Sequence, residues 1–188
     1  MPIPPGDYEL LPEHATLTVF TGREGMAASV GHDLTLEVGH WTAAVHIDED
    51  LAACTLAVTA DLSTLEVVEG IGGAMPLTSD NIADIEKNAR KALAADRYPA
   101  LTFTSTSVTG TWDAATIHGE LTLHGQTAPQ DLALNRVGRV GDDQWRVSGE
   151  VVQSRFGIKP FTAFLGALKV KDEVRFEVVA AFGEASGS

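Results

Sequence analysis

The chain has 188 residues, a length that fits one domain with a sizeable core. It carries 26 acidic against 13 basic residues, a net charge of −13, which argues against nucleic acid as a partner and against electrostatic docking on anionic membranes. Its single cysteine, Cys54, excludes an internal disulfide and a cysteine-based zinc site, and is interpreted as a small apolar strand residue.

Neither a targeting segment nor a membrane span is visible in the sequence. Residues 1–7 lack the basic flank and apolar core of a signal peptide, and no apolar run is long enough to cross a bilayer. We therefore expect a soluble, cytoplasmic protein without integral membrane association. We also expect residues 1–188 to form one domain with loose tails at 1–7 and 183–188.

Alternation of apolar and polar residues recurs along most of the chain and predicts strands with one buried and one exposed face. Turn sequences such as 48–50, Gly110, Gly125, Gly138 and 141–143 separate these runs. We predict eight to ten antiparallel strands in a barrel or sandwich. The alternating apolar residues include Leu17, Val19, Leu34, Leu36, Val45, Ile47, Leu56, Val58, Leu101, Phe103, Leu121, Leu123, Leu132, Leu134, Trp145, Val147, Val174 and Phe176.

One segment, at about 79–97, has helical spacing instead, with apolar residues at Ile82, Ile85, Ala89 and Leu93. The polar residues just before it can cap the helix, and Glu86 and Arg90 form an i,i+4 pair on its polar side. We expect Tyr98 and Pro99 to end the helix, because the residue before a proline avoids the α region. The helix must lay its apolar face on the mouth or side of a barrel.

The histidines offer little support for a metal site. His118 and His124 are six residues apart on one strand, as are His40 and His46, a separation too long for one ion. No HExxH or GxSxG motif is present, so we predict no metal, no cofactor and no catalytic residue.

His32 differs from the other histidines because it shares a strand face with Leu34 and should point inward. Its neighbour Asp33 then points outward, so the two do not form a catalytic dyad. Two interpretations of His32 stay open: a core histidine bonded to the backbone, or a polar contact at one end of a cavity.

The segment after residue 145 combines a buried-strand pattern with polar and aromatic residues. By strand periodicity, Gln153 and Arg155 continue the inward face of the run 145–151. If that face lines a barrel, two hydrogen-bonding groups end an apolar interior, which suits an amphiphile better than a reaction. Alternatively, the two side chains pair with a carboxylate or a loop carbonyl and lock the turn at Gly157.

Four spaced pieces carry a family resemblance: GHDL at 31–34, RYPALTFTS at 97–105, GELTLHG at 119–125 and SRFGI at 154–158. In this order the chain resembles the YceI-like family of bacterial proteins from about residue 8 to 181. The resemblance implies a mainly β fold, a lipocalin-like extended antiparallel barrel of about eight strands with one amphipathic helix.

The resemblance further implies non-enzymatic binding, storage or transport of a long amphiphile in the barrel: a polyisoprenoid, an isoprenoid quinone or a fatty-acid derivative. The tail would lie among apolar side chains, and the head near His32, Gln153 or Arg155. The predicted ligand-binding residues are His32, Leu34, Leu36, Phe103, Leu121, Leu123, Trp145, Val147, Gln153, Arg155, Phe156, Phe161 and Phe164.

Two other functions fit the same sequence. The first is a small hydrolase or isomerase that acts on an amphiphile with His32 as base. The second is a structural or interaction barrel filled by its own side chains, with no ligand. A homodimer is compatible with the sequence, although no residue pattern locates its interface.

Overall fold

The computed structural model describes residues 3–137 and 144–181. The expected turns at Gly138 and 141–143 and the expected tail at 183–188 lie outside these residues. The elements are β1 (Gly6–Leu10), β2 (Thr16–Thr21), β3 (Arg23–Glu24), β4 (His32–Val38), β5 (Trp41–Ile47), β6 (Thr55–Asp61), β7 (Leu65–Gly72), α1 (Ser79–Ala92), β8 (Ala100–Gly110), β9 (Ala114–Leu123), β10 (Gln126–Val137), β11 (Gln144–Val152), β12 (Thr162–Ala163), β13 (Leu168–Val170) and β14 (Glu173–Ala181).

Eleven strands form one curled antiparallel sheet, a half-barrel in the order β1-β5-β6-β8-β9-β10-β11-β14-β2-β4-β7. The strands β12, β13 and β3 form a small second sheet. The predicted fold class, a mainly β lipocalin-like architecture with one helix, is confirmed. The predicted strand count of about eight is wrong, because the large sheet alone has eleven strands.

The strands that the alternation missed are the two edges of the sheet. Residues 3–7, expected as a loose tail, include the buried Ile3 and the start of β1, which pairs with β5. At the other edge, the pairing of β7 with β4 shifts register between Thr35 and Leu36. Such a bulge breaks the period of two in β7, whereas β1 is short and its alternation rests on Tyr8 and Leu10 alone.

The inner face of the sheet carries the apolar positions of the alternating runs. Val58, Phe103 and Leu121 are direct cross-strand partners on β6, β8 and β9. Such cross-strand pairs set the register, since a slip of one residue would turn every apolar side chain outward. The alternation therefore decides which face of the sheet is the interior.

Helix α1 begins as predicted but ends earlier. Thr78 caps it, and a reciprocal pair of hydrogen bonds joins Thr78 and Asn81 in a capping box. The helix ends at Ala92, so its predicted end near residue 97 is wrong. Ala94 takes a left-handed backbone with φ of 48°, which stops the helix well before Tyr98 and Pro99.

Side chains of α1 attach it to the edge strand β7. Glu86 Oε1 accepts a hydrogen bond from the Val67 amide at 3.0 Å, and Arg90 donates to the Leu65 carbonyl at 3.3 Å. The expected i,i+4 pair between Glu86 and Arg90 is also present, with Nη1 and Oε2 3.9 Å apart. The helix thus covers an edge whose backbone groups would otherwise face solvent.

Candidate ligand-binding cavity

A cavity of about 920 Å³ lies between the inner face of the large sheet, helix α1 and the segment that follows β11. Its walls are aliphatic and aromatic. The sheet contributes Leu17, Val19, Leu34, Leu36, Val38, Trp41, Ala43, Leu56, Val58, Ala60, Leu101, Phe103, Leu121, Leu123, Leu132, Val147, Val151, Val174, Phe176 and Val178. With Leu10 of β1 and Leu65 of β7, the cavity follows inward positions of all eleven strands of the large sheet.

Helix α1 closes one side of the cavity. Ile85, Ala89 and Leu93 line it, as the helical spacing predicts for an apolar face laid on the barrel. Asn81, Asp84 and Asn88 also line it and bring polar atoms to the helical wall. The face of the helix that lines the cavity therefore carries both apolar and polar side chains.

The far end of the sheet interior is filled by side chains. Trp145 is 1% exposed, and its indole N–H donates to the Trp112 carbonyl at 3.3 Å. Val108 and Ile117 are buried there too, and none of these residues lines the cavity. The cavity is closed at this end by packing.

Few polar side chains reach the cavity. Gln130 is its buried polar residue on the sheet, and its amide donates to the Asp131 carbonyl at 2.9 Å and the Glu150 carbonyl at 3.2 Å. His32 Nε2 donates to the Met75 carbonyl at 2.9 Å, which places the proton on that nitrogen. His32 is therefore both bonded to the backbone and part of the cavity wall, so its two interpretations describe one arrangement.

Arg23 also belongs to the cavity wall, although no pattern in the sequence predicts it there. Its guanidinium donates to the Gly31 carbonyl and, at 3.0 Å, to the Ile71 carbonyl. The carboxylate of Asp33 accepts a hydrogen bond from the backbone amide of Arg23 at 3.0 Å. Arg23 lies in a two-residue strand, which is too short to show alternation. The one sequence signal for a role at the cavity is its positive charge between two apolar segments.

The structure brings ten of the thirteen predicted ligand-binding residues to the cavity. They are His32, Leu34, Leu36, Phe103, Leu121, Leu123, Val147, Gln153, Phe161 and Phe164. The other three, Trp145, Arg155 and Phe156, do not line it. Trp145 does point inward as predicted, but it belongs to the packed far end.

Arg155 and Phe156 are displaced because strand β11 ends at Val152. Residues Gln153–Phe156 form a 3-10 turn, so strand alternation no longer describes them. Arg155 is exposed and donates to the Pro129 carbonyl at 3.3 Å, and Phe156 is fully buried. Gly157 closes the turn with φ of 69° and bonds back to it. Arg155 thus pairs with a backbone carbonyl, as the alternative interpretation expects, although that carbonyl belongs to β10 and not to a loop.

Gln153 keeps its place at the cavity but is already paired. Its amide donates to the Lys171 carbonyl at 2.9 Å, and the backbone beside it bonds to Asp172. The polar groups around the opening therefore hold loops together as well as facing the cavity.

Three other histidines on or beside the strands pair with neighbouring groups. His118 contacts Asp131 with Nδ1 and Oδ1 2.8 Å apart, and His46 contacts Asp7 at 2.7 Å. His124 donates to the Phe156 carbonyl at 3.0 Å. Within residues 3–137 and 144–181, no three histidine, cysteine or carboxylate side chains lie close enough to hold a metal ion. In the same residues no helix has the length and apolarity needed to cross a bilayer.

Fold and cavity together define a curled antiparallel β protein with an apolar internal cavity covered by one helix. Over residues 8–182 the chain matches the YceI-like domain, which is nearly its whole length. The chain belongs to the YceI-like family.

Relatives support this membership at moderate distance. Protein YceI of Shigella flexneri and Protein YceI of Escherichia coli O157:H7 are each 39% identical to the chain over 85 residues. The match covers 43% of the chain and 44% of each relative, so the chain aligns with less than half of their length.

Two solved structures share the fold. BcnA of Burkholderia cenocepacia superposes with a TM-score of 0.62 at 14% identity, over 89% of this chain and 96% of BcnA. The Campylobacter jejuni YCEI protein superposes with a TM-score of 0.51 at 18% identity, over 79% and 85% of the two chains. At such identities the likeness concerns the fold alone.

Proposed function

We propose that the chain binds a long amphiphile in its cavity without catalysing a reaction on it. The ligand class is that expected from the sequence: a polyisoprenoid, an isoprenoid quinone or a fatty-acid derivative. The observation that carries the proposal is the 920 Å³ cavity with almost entirely apolar walls. Its size falls in the range of small-molecule sites.

The energetics favour a ligand with a long apolar tail. Each buried methylene contributes about 0.8 kcal/mol, so a dozen carbons contribute on the order of 10 kcal/mol before the costs of binding. The tail would lie against Leu36, Phe103 and Leu121, which are all buried. The head would lie at the opening, near His32 and Gln153. The proposed site excludes Trp145, Arg155 and Phe156, because none of the three lines the cavity.

The contacts of His32 give no support to an acid–base pair with its neighbour. His32 Nε2 donates to the Met75 carbonyl, and the Asp33 carboxylate accepts from the Arg23 amide instead. The two adjacent residues therefore do not form the dyad that a catalytic histidine often uses. The open cavity supports a ligand-binding protein over a barrel filled by its own side chains.

The direct experiment is organic extraction and mass spectrometry of the protein purified from its native host. We expect a co-purifying amphiphile in near-stoichiometric amount, and exchange of it for an added fluorescent fatty acid. A protein that yields no amphiphile and takes up none would contradict the proposal.

A pair of neighbouring positions on β6 supplies matched variants. Val58 lines the cavity, whereas Thr59 is exposed on the other face of the same strand. Val58→Trp should fill part of the cavity and reduce probe binding at least tenfold, because the tail loses room. Thr59→Trp should leave probe binding unchanged. Equal binding by the two variants would place the ligand elsewhere.

A further inference from the structure

The segments around the cavity opening differ in charge from the rest of the chain. Residues 25–31, 70–79 and 153–171 contain no aspartate or glutamate, although the chain has 26 acidic residues. They contain four basic residues, Arg155, Lys159, Lys169 and Lys171. We call these three segments the mouth patch. The rest of the chain holds all the acidic residues against nine basic ones.

Hydrogen bonds join the three segments into one surface. Arg23 donates to the carbonyls of Gly31 and Ile71 and so connects the first segment with the second. The Ala27 amide donates to the Ala167 carbonyl at 2.9 Å and connects the first segment with the third. The bond from His32 to Met75 attaches the second segment to β4.

The mouth patch also holds most of the exposed large apolar side chains. Among the described residues eight are exposed, and seven of them belong to the patch; Val68 is the exception. Met26 is 96% exposed, Phe164 67% and Leu165 fully exposed. Phe164 also lines the cavity, so the patch continues into the cavity wall. Contiguous exposed apolar surface of this kind marks a protein or membrane contact.

A strained turn presents two of these side chains. Phe164, Leu165 and Gly166 have φ values of 50°, 55° and 90°, three left-handed residues in a row. Bulky non-glycine residues are outliers in this region, and such strain concentrates at functional sites. The strain holds Phe164 and Leu165 out in solvent, where burial within the protein cannot stabilise them.

We propose that the mouth patch docks on the surface of an anionic phospholipid bilayer. Phe164 and Leu165 would enter the interface, and Lys159 and Lys169, both exposed, would contact lipid phosphates. Exposed apolar side chains beside basic ones are the pattern of interfacial membrane binding. The net charge of −13 had argued against such docking, but that charge lies outside the patch.

Charge also selects the bilayer over a second copy of the chain. A twofold dimer through this patch would place the four basic residues of one copy opposite the same four of its partner, and like charges oppose such pairing. Acidic groups beside the patch include Glu24, which is paired with Lys169 across β3 and β13, and Asp84 on α1. Asp33, paired with Ile71, and Asp172, which accepts hydrogen bonds from Ser154, also lie next to it. They border it and do not interrupt it.

The reason for docking rests on the proposed function, because docking would bring the cavity opening to the lipid from which an amphiphile could enter. The docking itself needs no bound ligand. Vesicle binding is therefore tested separately from extraction of an amphiphile, and either proposal can fail alone.

The test is co-sedimentation of the full chain with vesicles of phosphatidylcholine alone or with phosphatidylglycerol. We expect binding that requires phosphatidylglycerol and weakens with salt. Lys159→Glu with Lys169→Glu should lower the partition coefficient at least about 25-fold, since each basic residue contributes about fivefold. Phe164→Ser with Leu165→Ser should lower it at least tenfold.

Matched controls are Val68→Ser, an exposed apolar residue outside the patch, and Lys87→Glu, an exposed lysine on α1. Both should bind vesicles like the unmodified chain. The proposal is overturned if the chain does not sediment with phosphatidylglycerol vesicles, or if controls and patch variants lose binding equally. It is also overturned if the patch variants change only the oligomeric state measured by ultracentrifugation.

Discussion

At the scale of single residues, a few polar side chains hold the opening of the cavity together. Arg23 bridges the Gly31 carbonyl, just before β4, and the Ile71 carbonyl at the end of β7, and His32 donates to the Met75 carbonyl. Charge-assisted bonds to backbone groups are stronger than neutral ones, so Arg23 holds the loop before β4 against the end of β7. The position of Arg23 and His32 beside the cavity thus depends on contacts between residues that are distant in the sequence.

Cys54 illustrates how local environment sets residue chemistry. It is buried just before β6, and its sulfur accepts a hydrogen bond from the Asp48 amide at 3.4 Å. Burial raises the pKa of the Cys54 thiol, and the nearby carboxylates of Asp48 and Asp50 act in the same direction. The thiolate, which is the reactive form, is therefore disfavoured in the folded chain.

We expect Cys54 in the folded chain to react with a thiol reagent at pH 8 at least tenfold more slowly than in urea. Because the folded pKa is raised, the related stabilisation is complete below the pKa of the unfolded thiol, about 8.5, and declines as pH rises through the folded pKa. Cys54→Ala should lack that part of the alkaline decline. Equal labelling rates in buffer and urea would contradict the burial.

At the scale of elements, the end of α1 shows how tertiary structure overrides a sequence signal. The Ala95 amide bonds to the Arg90 carbonyl and the Ala94 amide to the Lys91 carbonyl. This is a Schellman motif, whose left-handed position is usually glycine. Here alanine occupies it, so the ordinary stop signal is missing and the sequence pointed to Pro99 instead. The burial of Ala95, 3% exposed, accompanies the sharp turn.

Replacing alanine by glycine should change the free energy of unfolding in opposite directions inside the helix and at its left-handed end. Ala94→Gly should stabilise the chain by about 1 kcal/mol, because glycine adopts the left-handed conformation without steric cost. Ala83→Gly, at an exposed position inside α1, should destabilise it by about 1 kcal/mol. Urea denaturation measures both. Loss of stability in Ala94→Gly would contradict the assigned helix end.

At the scale of the whole molecule, the half-barrel leaves its interior incompletely filled. Trp145 and its neighbours pack one end, whereas the apolar side chains nearer α1 surround open space. An apolar cavity of this size forfeits packing contacts that a bound tail would restore. The unfilled cavity thus lowers the stability of the chain relative to a fully packed interior.

The empty chain should consequently melt at a lower temperature than the loaded one. A ligand at 100 times its Kd stabilises by about 2.7 kcal/mol, which corresponds to about 5–10 °C for a chain of this size. The measurement compares the protein as purified, after extraction, and after addition of a fatty acid. Val58→Trp should show a smaller shift. Identical melting of loaded and extracted protein would contradict ligand binding.

Much of the fold follows from the sequence, because period-two alternation is a local property of each strand. The inward positions of β4, β8 and β9 and the start of α1 could be derived in this way. Seven of the predicted ligand-binding residues, on β4, β8, β9 and β11, consequently lie together on the cavity wall. Gln153, Phe161 and Phe164 reach the wall from segments without strand alternation. The order of strands did not follow, since β14 lies between β11 and β2 through pairings distant in sequence.

The segment from Gln153 onward shows where sequence patterns stop predicting the structure and tertiary contacts decide it. Its pattern indicated a polar end to an apolar interior, and Gln153 does reach the cavity. Only tertiary structure decided that the strand stops at Val152, since the turn is held by Asp172 and other partners distant in the chain. The sequence alone determined which residues are apolar and which are charged. Long-range hydrogen bonds decided which of them meet at the cavity opening, because such contacts leave no periodic trace.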